Sequence, residues 1–224
     1  MLLRIAIDGP AGAGKSTVAR IVAERLGCVY IDTGAMYRAL TLEALDKGID
    51  LTDQIALVDA LRQMNLTIEP GRGGNQIFIR GANVTARIRE PLVSQNVSLV
   101  SSHKAVREAI VEMQQEMARH DNVVMDGRDI GTVVMPDADY KFFLSASVEV
   151  RAQRRQLELA RKGYDVPLGE LIEQIKERDH FDSTRENSPL KKAVDAIEID
   201  TTNLTIDEVV DLILLYCRGR NSGV

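Results

Sequence analysis

A three-layer α/β fold, with a five-stranded parallel sheet between two layers of helices, is the architecture this sequence predicts. Three observations predict it. Short apolar segments alternate with helical patterns along most of the chain. The first of these segments runs directly into a glycine-rich loop and then a helix, the order a phosphate-binding loop needs. One stretch, Met64–Ile88, breaks the rhythm with short alternating segments separated by Gly71, Gly73, Gly74 and Gly81, which predicts a small antiparallel sheet of three short strands inserted into the αβ chain. The 224 residues, 45% hydrophobic and 27% charged, suit one domain carrying such an insertion.

The elements follow in order. Ile5–Ile7 is a short apolar strand. Gly9, Pro10, Ala11, Gly12, Ala13, Gly14, Lys15 and Ser16 then match G-x-x-x-x-G-K-[ST] at every position, and "STVARIVAERLG" reads as the helix after it, with Thr17 in its first turn. Glycines let backbone N–H groups turn inward on a phosphate, and the following helix aims its free N–H groups at the same anion. Lys15 is expected on the β- and γ-phosphates of a nucleoside triphosphate, and Ser16 on Mg²⁺. Cys28–Asp32 predicts a second strand, and "TGAMYRALTLEALDKG" a helix capped at Thr33 and stopped by Gly48. Further helices are expected over Asp53–Met64, Glu90–Val100 and Lys104–His120. Val123–Met125 and Tyr140–Ala146 are strands. A helix starts at Ser147, and another runs from Pro167 and fades before Pro189. Ala196–Asp200 is the last strand, and a final helix carries Thr205 and Glu208 in a capping box. The terminal "RGRNSGV" is expected to be loose.

In such sheets ligands sit beyond the carboxyl ends of the strands, which selects Asp8–Ser16, Asp32–Arg38 and Asp126–Asp129 together. Asp126 suits a carboxylate that holds water on Mg²⁺; the alternative is a cap on the following turn. Arg151, Arg154 and Arg155 are spaced to share one helical face, and Arg178, Asp182 and Arg185 another. Phosphoryl transfer spreads negative charge that fixed guanidiniums stabilise, and Asp182 could aim its neighbours; ordinary surface ion pairs are the alternative. A phosphate acceptor already carries nucleophilic oxygen, so no general base is required. His103, His120 and His180 have no catalytic setting.

Composition excludes several classes. A net charge of −5, with no interleaving of arginines and aromatics, gives no basis for nucleic-acid binding. There is no long apolar run to cross a membrane. Two distant cysteines, Cys28 and Cys217, read as buried thiols in a reducing compartment. The length leaves no room for a second ATPase domain, and no N-K-x-D guanine signature stands out. A small-molecule kinase is the leading class; a nucleotide-binding switch without turnover would leave the arginine faces unexplained.

Taken together, "IDGPAGAGKST", "DTGAMYRA", the glycine-rich insert, "VREA", "DGRDIGTVVMPDA" and "IKERDHFDSTRENSPL" resemble the bacterial cytidylate kinases, nucleoside monophosphate kinases of the phosphate-loop class, almost end to end. The resemblance implies Mg²⁺-dependent transfer from ATP to CMP and dCMP, with UMP or AMP as the alternative acceptor, in a cytoplasmic monomer. It implies that Ser98, Arg107 and Asp129 read cytosine, and that Arg38, Arg128 and Arg185 hold the monophosphate. Thr33, where many relatives have serine, falls near the acceptor's sugar or phosphate. Arg154 and Arg178 approach the ATP phosphates or the transferred group, and Asp182 lies near the ribose. It further implies a core of 1–60 and 90–224, an acceptor-binding insert at 61–89 and a short lid at 152–170.

Overall fold

The computed structural model describes residues 2–71, 73–161 and 163–219. The central sheet contains β1 (Arg4–Asp8), β2 (Val29–Asp32), β6 (Val123–Gly127), β7 (Tyr140–Ser145) and β8 (Ile197–Asp200). Their order is β2-β6-β1-β7-β8, and every pairing is parallel. The predicted five-stranded parallel sheet is therefore present, with β6 beside β1. In β1 the side chains alternate between faces as a strand requires. Ile5 and Ile7 join Val124, Phe142 and Leu144 under α1 (Lys15–Leu26) and α8 (Ile206–Gly219), while Ala6 faces Met125, Ile130 and Val134 on the other side.

A third apolar cluster lies beside the sheet. It gathers α2 (Thr33–Lys47), α3 (Gln54–Gln63), α4 (Pro91–Ser102) and α5 (Lys104–Met117) around Met36, Leu40, Leu57, Val100 and Ile110. The inserted sheet is β3 (Leu66–Gly71), β4 (Gly74–Ile79) and β5 (Ala82–Asn83), in that order and antiparallel as predicted. Its Ile77, Ile79 and Val84, with Ile88 just beyond it, bury into the same cluster as α2–α5. The insert thus shares its core with the helices it packs on.

Local signals explain most element ends. Ser147 accepts from Val150 N–H (3.3 Å) ahead of α6 (Val148–Arg161), and Thr205 and Glu208 form the predicted capping box. The cap of α2, however, is Asp32: its carboxylate accepts from Ala35 N–H at 3.0 Å, and Thr33 is the first helical residue. The helix predicted to fade before Pro189, α7 (Leu168–Thr184), does so at Thr184. Arg185 is already extended, with φ −59° and ψ 143°, and the chain turns back so that Leu190 N–H bonds to Asp182 O. α5 stops at Met117 rather than His120. Cys217 is buried, but Cys28 is only half-buried, and both thiols are free. The end of the "RGRNSGV" segment beyond Gly219 lies outside the described residues.

Candidate active site

The carboxyl ends of β1, β2 and β6 converge as the strand-end rule expects. After Asp8 the chain enters the phosphate loop with Gly9 at φ 147°. A Cβ there would stand 2.0 Å from the carbonyl oxygen of Leu144, so only glycine fits. Pro10, Ala11, Gly12 and Ala13 complete the loop. Gly14, at φ 85°, caps α1 without any side-chain hydrogen bond, which leaves the first N–H groups of the helix for an anion. Lys15 is 5% exposed and its Nζ donates to Pro10 O at 2.7 Å; burial, with Arg128 adding to it, pushes its ammonium down to about 7. An arriving polyphosphate would restore the charge that this site makes costly. Thr17 is exposed on the first turn of α1.

Asp126 is the hub of the metal question. Its Oδ2 accepts from Ser16 Oγ at 2.8 Å, its Oδ1 from Tyr30 Oη at 2.7 Å, and its carbonyl from Thr33 Oγ1 at 2.6 Å. Burial first, and then the charge of Asp32, raise its carboxyl to about 6. One hydroxyl and one carboxylate, both oxygen donors, are too few for a stand-alone cage. They suit an ion that brings water and phosphate oxygens with it, as Mg²⁺ does. Asp8 lies nearby, with burial lifting its carboxyl to about 6, and accepts the N–H groups of Ile130 (2.8 Å) and Gly131 (2.7 Å). It thereby fixes the wide turn Ile130–Val134 that follows Asp129.

The guanidiniums form two groups. In the first, Arg128 Nε donates to Asp182 Oδ2 at 2.9 Å, and Arg178 Nε lies 3.9 Å from the same oxygen. Although burial opposes it, Arg128 and Arg178 hold the Asp182 carboxyl below its usual range. Burial, reinforced by Arg128, brings Arg178 down to about 10, and burial with Arg178 brings Arg38 to about 9. Arg38 donates to Ser94 Oγ (2.8 Å) and Ile88 O (3.3 Å). In the second group, Arg107 is ion-paired with Asp129, both buried, and also donates to Ser101 O at 3.2 Å. Its guanidinium lies 5.3 Å from the centre of the Tyr37 ring. Arg185 joins them through space: burial and then Arg107 lower it, while its Nε donates to Ser188 O at 2.8 Å. Ser98 is half-buried on α4, and its carbonyl accepts from Ser101 Oγ.

Five buried polar atoms around the site have no hydrogen-bond partner: Tyr37 Oη, Arg107 Nε, Arg178 Nε, Arg185 Nη2 and, beside Arg151, Asp179 Oδ1. Native interiors rarely leave such atoms unsatisfied. Three of them are cationic donors, so the arrangement fits an anionic ligand. A cleft of about 560 Å³ lined by Leu2, Arg4, Ala118 and Met135 lies at the opposite, amino end of the strands and has none of this chemistry.

The predicted face of Arg151, Arg154 and Arg155 is not a unit. Arg151 is buried, pairing with Asp179 at 2.6 Å and donating to Ala146 O and to Ala11 O in the phosphate loop. Arg154 donates to Thr201 Oγ1 (3.1 Å) and Thr201 O (2.7 Å), and Arg155 pairs with Glu158. Helical spacing gives direction only; which acceptor each long side chain meets depends on neighbours brought by other elements. Arg185 likewise leaves the Arg178–Asp182 face, because the helix ends before it. Sequence reasoning passed over Tyr30, Tyr37, Ser94 and the hydrogen-bonding of Asp8 and Asp32. The two aspartates end strands β1 and β2, so the strand-end rule held the signal. Tyr37 lay within the selected Asp32–Arg38 stretch, but only tertiary packing turns it, Tyr30 and Ser94 inward.

Comparison with known proteins identifies the family. A family model described as cytidylate kinase matches residues 5–219. A cytidylate kinase of Shouchella clausii (strain KSM-K16) is 56% identical over 210 residues, 94% of this chain and 93% of its own. One from Bacillus subtilis (strain 168) is 53% identical over 212 residues, 95% of each chain. A solved gluconokinase from Sinorhizobium meliloti 1021 covers 99% of this chain and 98% of its own, with a TM-score of 0.50 and 17% identity, a likeness of fold alone. With a match across nearly its whole length and relatives above half identity, the chain belongs to the cytidylate kinase family.

Proposed function

We propose that the protein transfers the γ-phosphoryl group of ATP to CMP and dCMP, giving ADP and the corresponding diphosphate. The observation that carries the reading is the meeting of a phosphate loop at Lys15 with buried guanidiniums at Arg107, Arg178 and Arg185, each of which keeps a buried donor without a partner. Family membership supplies the identity of the acceptor.

The donor's phosphates lie on the loop Gly9–Thr17, held by its N–H groups and by Lys15. The acceptor's phosphate is held by Arg38, Arg128 and Arg185, with Thr33 near it. Its oxygen is already anionic at neutral pH, so it attacks the γ-phosphorus without a base. Charge that spreads over the transferring group meets Lys15, Arg128 and Arg178, already fixed by packing and by Asp182. Arg154 turns from Thr201 toward the donor when ATP is present. Ser16 and Asp126 would hold Mg²⁺, which supplies charge neutralisation between the phosphates. Cytosine presents an amino group, which needs an acceptor, and a carbonyl and ring nitrogen, which need donors. Asp129 supplies the first, and Arg107 and Ser98 supply the others. Uracil would turn a carbonyl toward the Asp129 carboxylate, two acceptors face to face. The insert (61–89) closes over the acceptor and the α6–α7 corner (152–170) over the donor, excluding water. The enzyme works as a cytoplasmic monomer.

The direct test is phosphorus NMR of the protein with ATP, CMP and Mg²⁺. CDP and ADP are expected in equal amounts. ADP without CDP would mean that water, not CMP, is the acceptor, and the reading would fail.

A further inference from the structure

The acceptor-site reading raises a mechanical question: what holds the insert and the start of α2 in register with the sheet? β2 is an edge strand of the central sheet, so one side of its backbone lacks a strand partner. Asn75, half-buried near the tip of the β3–β4 hairpin, covers that edge. Its Nδ2 donates to Tyr30 O at 2.9 Å, and its Oδ1 accepts from Asp32 N–H at 2.9 Å. In a parallel ladder a residue bonds the carbonyl before and the N–H after its opposite residue. The Asn75 amide makes that same pair of bonds around Ile31, standing in for one residue of a sixth strand.

The second fastening meets the same residue. Arg89, at the exit of the insert, pairs with Asp32 Oδ2 at 2.9 Å, while Asp32 Oδ1 caps α2 through Ala35 N–H. Backbone, one carboxylate oxygen and the other therefore receive three separate ties. Asp32 ties the insert to the amino end of the helix carrying Thr33, Tyr37 and Arg38. From this we infer that Asn75 is a positioning residue for the acceptor: its amide clasps the hairpin to β2 and sets the amino end of α2. The inference rests on reading this end of the site as the acceptor's.

Losing the amide does not release the insert as a whole. Ile77 and Ile79 remain buried, and Arg80 still grips Glu43 through two 2.8 Å bonds. The variants Asn75→Ala and Asn75→Asp are therefore expected to fold. Asparagine and aspartate have nearly the same shape, so Asn75→Asp fills the space but removes the donor to Tyr30 O.

The experiment combines amide hydrogen exchange with steady-state kinetics on the full chain. In Asn75→Ala the Asp32 amide is expected to exchange about tenfold faster, the scale of one lost hydrogen bond, whereas Asn75→Asp keeps an oxygen for that amide and loses only the bond to Tyr30 O. In both variants the KM for CMP is expected to rise about five- to tenfold, with the KM for ATP within about twofold. Unchanged Asp32 exchange in Asn75→Ala would overturn the clasp. A KM for CMP at the wild-type value in Asn75→Asp beside a defective Asn75→Ala would show that the bond to Tyr30 O is dispensable and overturn the two-bond clasp. Faster exchange with an unchanged KM for CMP would overturn the positioning role. None of these outcomes bears on whether the wild type phosphorylates CMP, which fails or stands on its own assay.

Discussion

Arg185 and Asp129 sit a short distance apart yet carry opposite structural burdens. Arg185 gives one hydrogen bond to Ser188 O and leaves Nη2 bare in the interior. Replacing it with alanine removes a buried cation that the apo protein holds at a cost. The Tm of Arg185→Ala should stay within a few degrees of wild type while kcat falls by about 10²-fold, the scale of one lost charge contact to the transferring group. A variant with normal kcat and KM for CMP would remove Arg185 from the site. Asp129→Ala strands the buried guanidinium of Arg107, so it should destabilise by about 3–5 kcal/mol as well as weaken CMP. Asp129→Asn keeps an oxygen for Arg107 and is the cleaner probe: the KM for CMP should rise by about 10- to 100-fold with that for ATP nearly unmoved. Equal losses for both nucleotides would count against base reading. At this scale the sequence was legible where backbone geometry dictates residue type, as in Gly9–Ser16. It was silent where packing assigns partners. Nothing in the spacing of Arg151, Arg154 and Arg155 says that one lies buried against Asp179, one on Thr201 and one on Glu158.

Elements explain how those residues arrive. β1 delivers Asp8 and the loop, β6 delivers Asp126–Asp129, and both are legible because a strand ending in glycine and charge has few other uses. The loop's path is fixed by contact as well as by φ, since Gly9 lies against β7. Gly9→Ala is expected to cost several kcal/mol, of order 3 or more, and to abolish ATP binding. Thermal melts and nucleotide titration would check this, and a stable, ATP-binding variant would contradict the close packing described. Helix ends were less legible than helices. Thr33 and Asp32 are both good caps by residue type, and the choice rests on the Asp32 carboxylate reaching Ala35 while the Thr33 hydroxyl is taken by Asp126 O. α7 ends at Thr184, short of Arg185, because the Arg185–Leu190 segment folds back on Asp182, a tertiary contact invisible to periodicity.

Across the whole molecule, the insert that broke the αβ rhythm proves to be a three-stranded sheet sharing a core with α2–α5. Glycine spacing made the sheet legible; its merging with the helical core was not, because Ile77, Ile79 and Val84 alternate as they would on any half-buried strand. Around the site, carboxylates and guanidiniums are buried together, in a chain whose net charge is −5. Chelating Mg²⁺ should therefore suppress turnover by at least about 10²-fold while leaving the melt of the free protein unchanged; turnover in excess chelator would contradict a metal role for Ser16 and Asp126. On the proposed function, the fold selects a cytidine monophosphate by setting Asp129 and Arg107 at the base. The most direct test of this selection is kcat/KM for CMP against UMP with saturating ATP and Mg²⁺. CMP should lead UMP by about 10²-fold, the scale for a site built to bond a group the competitor lacks. UMP turned over as efficiently as CMP would contradict it.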